Sequence, residues 1–312
     1  MRGKTKPVVS SSNYTIDVVI PYRLDLTVSA LRRLSANMVD VLTPAGQYVR
    51  AFEGFSGPVI ARVTQKRPNS LDLTLDGDLS EHPCALELVR RMLGVDRDLT
   101  HFNRAAARIS WLRPLAQRML GVKPPRYPTL WETCVNVIIF QQISLHAASA
   151  ILRKLILAVG TPPLTCDDMT FHAFPSVESV QSTKDDLLLA AGLSGRKLAT
   201  LRRVADALLS KTLDETMLEE RVSPDAVELL CRIKGIGPWT ATVILLRGLG
   251  RLDVFPMNDS SVTRNLALVA GAAPLDIERI LRALGPQKGM LYYHLLLARL
   301  EVRDDLGRAS VY

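Results

Sequence analysis

The stretch CRIKGIGPWTATVILLRGLGRLDVFPMNDSSVTRN, residues 231–265, joins a glycine turn, an apolar segment and a loop that ends in a carboxylate. Before it, the Ser-Pro pair at residues 223–224 suits a helix start, because serine can cap free N–H groups and proline has none to leave unpaired. Pro238 suits a second helix start directly after Gly235-Ile236-Gly237, and the apolar run that follows stops at Gly248. The spacing predicts a helix, a tight turn and a second helix.

The two glycines give this turn a second possible role. Glycine permits a positive φ and allows a ligand to approach the backbone closely. The amides of Ile236 and Gly237, together with the start of the second helix, would form an electropositive corner that suits a phosphate and reads no base. An ordinary helix corner with a glycine cap fits the same residues, and the short GxG pattern alone favours that interpretation.

Two longer motifs resemble those of one protein family. Residues 233–241, IKGIGPWTA, resemble the helix-hairpin-helix signature of DNA-repair glycosylases, and residues 252–259, LDVFPMND, resemble the loop that carries their catalytic Asp. The chain is similar to the base-excision glycosylases of the HhH-GPD superfamily, and most similar to the bacterial DNA-3-methyladenine glycosylase II type. The resemblance starts at about Tyr14 and is strongest over residues 129–265.

The strand and helix patterns and this resemblance together predict an α+β fold. After a disordered tail at residues 1–13, residues 14–100 are predicted to form a small antiparallel β-sheet domain, which is TATA-binding-protein-like in the family. A mostly α-helical, two-lobed core is predicted to follow. Residues 101–127 and 253–312 would form the lobe with the catalytic Asp, and residues 128–252 the lobe with the hairpin.

The resemblance assigns catalysis to Asp259. Removal of a base passes through an oxocarbenium-like sugar, and one carboxylate beside it can stabilise the charge and position a water. Asp259 also precedes a predicted helix, so it could act only as an N-cap, and Asn258 could be that cap equally well. The motif match favours the catalytic role. Strand-cleaving members of the family carry a lysine where this chain has Trp239, so the resemblance implies a monofunctional enzyme that uses water.

Further residues match the family's pocket and DNA contacts. Trp239 would stack on a positively charged alkylated base through a cation–π contact, although a core tryptophan fits almost as well. Gln142 matches the residue that fills the gap left by the flipped base, although a polar helix end facing water fits the spacing alone. The other assignments are Phe255 and Tyr293 in the substrate pocket, and Gly235, Ile236, Gly237 and Thr240 in the hairpin's contact with DNA.

Some positions depart from the family. Aromatic residues make up only 5% of the chain. Leu296 and Leu297 stand where the glycosylase II type has aromatics, and Val243 replaces a further one. An alkylated purine remains the predicted base, with a glycosylase for another lesion class as an alternative. A non-catalytic hairpin module that binds DNA is a second alternative, which Asp259 disfavours because a carboxylate weakens binding to an anionic backbone.

Composition and charge agree with an enzyme that acts on double-stranded DNA containing a damaged base. The 312 residues are 47% hydrophobic, which is enough for a large core, and the net charge of +8 favours a polyanionic partner. There is no apolar run long enough to span a membrane and no signal-peptide pattern. The four cysteines are far apart, so we expect a reducing intracellular compartment, the cytoplasm or nucleoid. We also expect the protein to be a monomer.

No cofactor is expected to be required. The family often holds a monovalent cation on carbonyls of the hairpin, so a Na⁺ or K⁺ ion on the carbonyls of Ile233 and Ile236 is a possible structural site. Some relatives carry a four-cysteine iron–sulfur cluster near the C-terminus. No cysteine follows Cys231, so we expect no such cluster here, and the absence of a CxxC pair argues against structural zinc.

Overall fold

The N-terminal part of the chain is a twisted antiparallel sheet. The computed structural model describes residues 10–54, 56–160, 162–166, 169–257, 259–271 and 275–307. Within these ranges, leucines 71, 73 and 75 are buried and the residues between them are half-buried, as the alternating sequence predicts. The strands, in the spatial order β1-β5-β4-β3-β2, are β1 (Ser10–Asp17), β2 (Val41–Leu42), β3 (Tyr48–Gly54), β4 (Gly57–Arg67) and β5 (Ser70–Gly77).

The first strand corrects the predicted start of the domain. β1 pairs with β5 along its full length, from Ser10 opposite Gly77 to Asp17 opposite Ser70. Residues 10–13, predicted as the end of a disordered tail, are therefore part of the sheet. The polar sequence Ser-Ser-Ser-Asn gave no strand signal, because the pairing comes from an edge position beside β5. Residues 1–9 of the predicted tail lie outside the described residues.

The rest of the chain is mostly helical where the structure describes it, with one small hairpin of β6 (Leu164–Cys166) and β7 (Met169–Phe171). This confirms the predicted α+β fold with a helical core. The α-helices are α1 (Leu24–Arg32), α2 (His82–Leu93), α3 (Thr100–Ala106), α4 (Arg113–Arg118), α5 (Leu130–Ile139), α6 (Leu145–Val159), α7 (Val177–Ser182), α8 (Asp185–Ala190), α9 (Gly195–Leu209), α10 (Glu215–Glu219), α11 (Ser223–Cys231), α12 (Pro238–Gly248), α13 (Ser260–Ala270), α14 (Ile277–Leu284) and α15 (Met290–Val302).

Three large clusters of buried apolar residues hold these elements together. One lies between the sheet and helices α1 and α2. A second is built by α5, α6, α9, α11 and α12, and a third by α1, α3, α4 and α15. Helix α12 contributes Ile244 to the second cluster and Leu246 to the third. Helix α12 is therefore held between the two clusters, which matters because the candidate site is built at the start of this helix.

A buried ion-pair cluster joins the sheet to α5. The guanidinium of Arg50 on β3 donates to Asp40 and to Glu132, at 2.5 Å each, and the Tyr48 hydroxyl donates to Asp40 at 2.7 Å. Burial raises the pKa of Glu132 to about 7, against the opposing effect of the Arg50 charge. Removing one partner of such a buried cluster leaves an uncompensated charge, so it fixes how α5 meets the sheet. Among the described residues, no helix is long and apolar enough to cross a membrane.

Candidate functional site

The two glycines of the hairpin between α11 and α12 have different structural roles. Gly235 has φ +105°, and a Cβ added there would lie 2.0 Å from Oγ1 of Thr200. The turn therefore requires glycine at this position. Gly237 has φ −98° and a Cβ there would meet no atom within 4 Å. The fold leaves Gly237 free to be replaced, and its open side is a surface that a ligand can approach.

The backbone of the hairpin is arranged around the start of α12. The N–H of Ile236 donates to the carbonyl of Ile233 at 2.9 Å and closes the turn, while the Ile236 side chain is buried. Pro238 has no N–H, and the N–H groups of Trp239 and Thr240 lie in the first helical turn, where a helix offers no backbone acceptor. This end of α12 can therefore bind an anion through its backbone.

The side chain of Thr240 is buried, so the predicted DNA contact at this position is left to its backbone N–H. Its hydroxyl accepts a hydrogen bond from Nε2 of Gln141 at 2.8 Å, and Gln141 also donates to the carbonyl of Gly235 at 3.3 Å. Nζ of Lys197 donates to the carbonyls of Ile139 and Gln141, at 2.7 and 2.9 Å. The bonds of the Gln141 side chain hold the loop between α5 and α6 against the hairpin, and the bonds of Lys197 hold the same segment against α9.

Gln142, at the tip of this loop, differs from Gln141 in its backbone conformation and in the exposure of its side chain. It has φ +56°, a left-handed conformation that is rare for a residue other than glycine, and its side chain is exposed. One glutamine therefore holds the loop in place while the next one projects from it. A strained backbone position of this kind is most often kept where a function requires it.

Asp259 is both a helix cap and a member of a cavity wall. Its Oδ1 accepts hydrogen bonds from the N–H of Ser261 at 2.7 Å and of Val262 at 3.2 Å, which caps α13. Its Oδ2 accepts the indole N–H of Trp239 at 2.9 Å. The N-cap and functional interpretations of Asp259 are therefore compatible, because each uses a different carboxylate oxygen. Asn258, the other cap candidate, lies outside the described residues.

Asp259 and Trp239 line a cavity of about 210 Å³ between the two lobes. Within the described part of the chain, its lining includes no lysine. In the same ranges, no group of three or more His, Cys, Asp or Glu side chains could hold a metal ion. The apolar and aromatic lining residues include Val137, Phe140, Ile143, Val243, Tyr292, Leu295 and Leu296, and the basic ones are Arg33, Arg264, Arg299 and Arg303.

Two predicted pocket residues, Phe255 and Tyr293, are not among the residues that line the cavity. Phe255 is buried in the cluster of α1, α3, α4 and α15. Tyr293 is fully buried, and its hydroxyl donates to the carbonyls of Pro125 and Leu246, each at 3.1 Å. The neighbouring residue Tyr292 lines the cavity instead. Successive residues on a helix point about 100° apart, so an error of one position moves a side chain from the cavity into the core.

The arginines of the cavity were not among the residues predicted from the sequence. Four lining residues recur at steps of four, three and four on α15 and its C-terminal extension, which is the spacing of one helix face: Tyr292, Leu296, Arg299 and Arg303. That spacing was a readable signal. Arg33 gave no such signal, because it comes from the end of α1, far away in sequence. It has φ +64° and its guanidinium lies 4.2 Å from the ring centre of Phe140.

Residues 135–286 match the family model described as HhH-GPD superfamily base excision DNA repair protein. This segment of the chain belongs to the HhH-GPD superfamily. The match covers the loop between α5 and α6, the hairpin and Asp259. It confirms the resemblance inferred from the two motifs.

Relatives in the superfamily differ in how much of their length they share with the chain. The probable bifunctional transcriptional activator/DNA repair enzyme AlkA of Mycobacterium tuberculosis is 30% identical over 189 residues, which are 60% of this chain and 36% of the relative. The chain thus spans about a third of that relative. DNA-3-methyladenine glycosylase 2 of Escherichia coli is 23% identical over 287 residues, which are 90% of this chain and 96% of the relative.

Solved structures share the fold over nearly the whole chain. The 3-methyladenine DNA-glycosylase from Archaeoglobus fulgidus has a TM-score of 0.77 at 23% identity and covers 92% of this chain and 99% of its own. MBOgg1, in a complex with a low-affinity DNA ligand, has a TM-score of 0.73 at 17% identity and covers 96% of this chain and 100% of its own. At these identities the similarity concerns the fold.

Proposed function

We propose that this protein is a monofunctional DNA glycosylase of base excision repair. It hydrolyses the N-glycosidic bond of a damaged base, an alkylated purine, that is flipped out of double-stranded DNA. The observation that carries the proposal is the carboxylate of Asp259, which lines the cavity while its Oδ2 accepts the Trp239 indole N–H at 2.9 Å. Relatives named DNA-3-methyladenine glycosylase support the base class.

DNA binding in this proposal uses the backbone of the hairpin. The start of α12, with the open side of Gly237, binds a phosphate through backbone N–H groups, which positions the duplex without reading its sequence. Gln142 enters the stack from the projecting loop and fills the gap left by the flipped base. Its planar amide can stack and form hydrogen bonds with the orphaned partner, which offsets part of the unstacking cost of a few kcal/mol.

Base release needs a group that stabilises positive charge on the sugar. As the bond from C1′ to the base breaks, the electron pair leaves with the base, and the carboxylate of Asp259 stabilises the oxocarbenium-like sugar. A water then attacks C1′ and passes one proton to the carboxylate of Asp259, which returns it to solvent. The two backbone N–H groups on Oδ1 and the indole N–H on Oδ2 fix the carboxylate before the reaction, so little reorganisation is needed in the transition state.

The product should be an abasic site in an intact strand. Strand-cleaving glycosylases need an amine that attacks C1′. The described lining of the cavity contains no lysine, and Trp239 has a donor N–H without a usable lone pair. Lys234 is exposed on the hairpin, before the glycines. Water is therefore the nucleophile in this proposal.

A panel of duplex oligonucleotides, each with one damaged base, tests the function. We expect release of a free alkylated base and strand breakage only after alkali treatment. Incubation with borohydride should trap no covalent protein–DNA adduct. Failure to release any base from the panel, by a protein that is folded and binds duplex DNA, would contradict the glycosylase proposal and favour a binding module. A trapped adduct that is lost in Lys234→Ala would contradict the monofunctional mechanism alone.

Three further properties are also proposed. The protein acts as a monomer in the cytoplasm or nucleoid, and a Na⁺ or K⁺ ion binds the carbonyl oxygens of Ile233 and Ile236. At Ile233 the ion would share the oxygen with the N–H of Ile236. Such an ion would stiffen the turn, so DNA affinity should be higher in K⁺ or Na⁺ than in a bulky organic cation at equal ionic strength. Equal affinities would remove the cation from the proposal.

A further inference from the structure

The walls of the cavity are more basic than selection of a cationic base requires. Four arginines line it, namely Arg33, Arg264, Arg299 and Arg303. Asp259 is the one acidic residue among the described lining residues. Positive groups on a partly enclosed wall oppose the binding of a positively charged base. Arginine favours instead a base that presents hydrogen-bond acceptors. The charge of the wall therefore points to recognition of acceptor atoms.

Among the four arginines, Arg299 is the one whose side chain makes no described hydrogen bond, ion pair or ring contact. It is half-buried, and within the described part of the chain it has no hydrogen-bond or ion-pair partner. Each of the other three side chains makes one described contact: Nη1 of Arg303 with Nδ1 of His146 at 3.1 Å, Nε of the exposed Arg264 with the Ser260 carbonyl at 3.2 Å, and the guanidinium of Arg33 with the ring of Phe140 at 4.2 Å.

The position of Arg299 directs it to the same space as the catalytic candidate. It follows Tyr292 by seven residues and Leu296 by three, and all three residues line the cavity with Asp259. The guanidinium is a planar fork of donors that matches two neighbouring acceptors. Purines with a carbonyl at C6 present O6 and N7 as such a pair, whereas adenine-type purines present an amine donor at C6. A donor fork therefore distinguishes the two types.

Resting on the proposed glycosylase function, we propose that Arg299 is a specificity-determining residue of this site. It selects damaged purines that carry a carbonyl at C6, such as alkylated guanines and hypoxanthine, over damaged purines that carry an amine at C6. Purines with a free N7 are bound through both acceptors, and those alkylated at N7 through O6 alone.

Methylated duplex DNA provides a charge-matched test. 3-Methylguanine and 3-methyladenine carry the methyl group on the same ring nitrogen and the same positive charge, and they differ at C6 and in the C2 amine. The free bases released are separated by chromatography and expressed relative to the content of each lesion. We expect kcat/KM for 3-methylguanine to exceed that for 3-methyladenine by about tenfold or more. Hypoxanthine, which is neutral and lacks the C2 amine, should also be released.

Variants of Arg299 separate hydrogen-bond geometry from charge. Arg299→Met should lower release of 3-methylguanine and of hypoxanthine by about tenfold or more, and change release of 3-methyladenine by about twofold or less. Arg299→Lys keeps the charge without the fork and should recover only part of the preference. Arg279→Met is the control, because it removes one positive charge from an exposed position on α14 outside the cavity.

The possible results are distinct. Equal or faster release of 3-methyladenine by the wild-type protein would overturn this inference and leave the glycosylase proposal standing. An equal loss for both bases in Arg299→Met, with Arg279→Met unchanged, would do the same. Release of no modified base by the wild-type protein would overturn both proposals. The wild-type preference and Arg299→Lys keep the test decisive if Arg299→Met does not fold.

Discussion

The hairpin and the cavity meet at the first turn of α12, but they are built from different parts of the chain. The hairpin offers backbone groups, and its glycines and proline lie within four consecutive residues, 235–238. The cavity is lined by side chains from α5, α6, α12, α13 and α15 and from the segments that follow α1 and α5. A backbone site can be read from a short motif, whereas a side-chain site depends on how distant helices pack. The two regions should therefore respond differently to substitution.

The largest expected effect is at the cavity. Asp259→Asn should lower base release by roughly 10³-fold, about 4 kcal/mol of transition-state stabilisation, because the neutral amide cannot stabilise the sugar cation. Asparagine is also a good N-cap, so the stability of α13 and the affinity for DNA should be kept. The readout is single-turnover release of base together with DNA affinity.

Asp276→Asn is the matched control for this change. Asp276 caps α14 through the N–H of Arg279 at 2.9 Å, and it is not a lining residue of the cavity. The same chemical substitution there should leave base release unchanged. Near-wild-type release by Asp259→Asn, on a lesion that the wild type removes, would sink the assignment of the catalytic carboxylate.

In the hairpin, substitution of Gly235 should affect mainly protein stability, whereas substitution of Gly237 should affect mainly DNA binding. Gly235→Ala places a Cβ against Thr200 at a positive φ and should lower the free energy of unfolding by about 3 kcal/mol or more. The Cβ of Gly237→Val meets no atom within 4 Å and the residue has an ordinary φ, so stability should change by about 0.5 kcal/mol or less. Its side chain would instead keep phosphate from the backbone and weaken binding to every duplex alike.

Chemical denaturation and DNA titration measure these two effects. If Gly237→Val binds duplex DNA with wild-type affinity, the turn is only a helix corner, which was the alternative interpretation of the motif. If Gly235→Ala keeps wild-type stability, the packing against Thr200 is looser than the structure indicates. Comparison of the two variants therefore tests whether the hairpin contributes by its shape, by its contact with phosphate, or by both.

The features that could be predicted from the sequence follow the same division between local motifs and distant packing. The two helices and the tight turn at residues 223–248 were predictable, because proline and glycine impose local constraints that survive folding. The expected cap at Ser223 was wrong: this serine is the first residue of α11, and its hydroxyl accepts a hydrogen bond from Arg251 at 3.1 Å instead of capping the helix. The fold class was predictable from alternating and helical patterns. The start of β1 at Ser10 was not, because residues 10–13 are polar and become a strand only through their pairing with β5.

The cavity shows why the remaining residues escaped prediction. Tyr292 and Tyr293 are both aromatic and adjacent, and only the packing of α15 decides which one faces Asp259 and which one is buried against Leu246. Phe255 belongs to the matched loop but turns into the core. Arg33 reaches the cavity from the N-terminal domain. No local pattern carries such information, because it depends on the relative placement of whole helices.

A smaller effect is expected where the two regions touch. Trp239→Phe keeps a ring in the cavity but removes the N–H that donates to Asp259. A hydrogen bond to a charged group contributes about 1.5–3 kcal/mol, so base release should fall roughly 10- to 100-fold with DNA affinity unchanged. Trp131→Phe removes the same donor from its bond to the Pro175 carbonyl, outside the cavity. That control should lower stability without lowering the rate per folded molecule, and equal rate losses in both variants would argue against a role in the site.

The smallest effect should have opposite signs for stability and activity. Gln142 has φ +56° and an exposed side chain, so Gln142→Gly relieves the backbone and should raise the free energy of unfolding by about 1 kcal/mol. The same change removes the group that fills the gap beside the flipped base, and base release should fall by roughly tenfold or less. Gln141→Gly is the comparison, because it breaks the bonds to Thr240 and Gly235 and should lower both quantities. A Gln142→Gly variant that gains stability and keeps full activity would show that the loop only faces water. A gain in stability with a loss of activity would show that the strain at residue 142 is kept for the reaction.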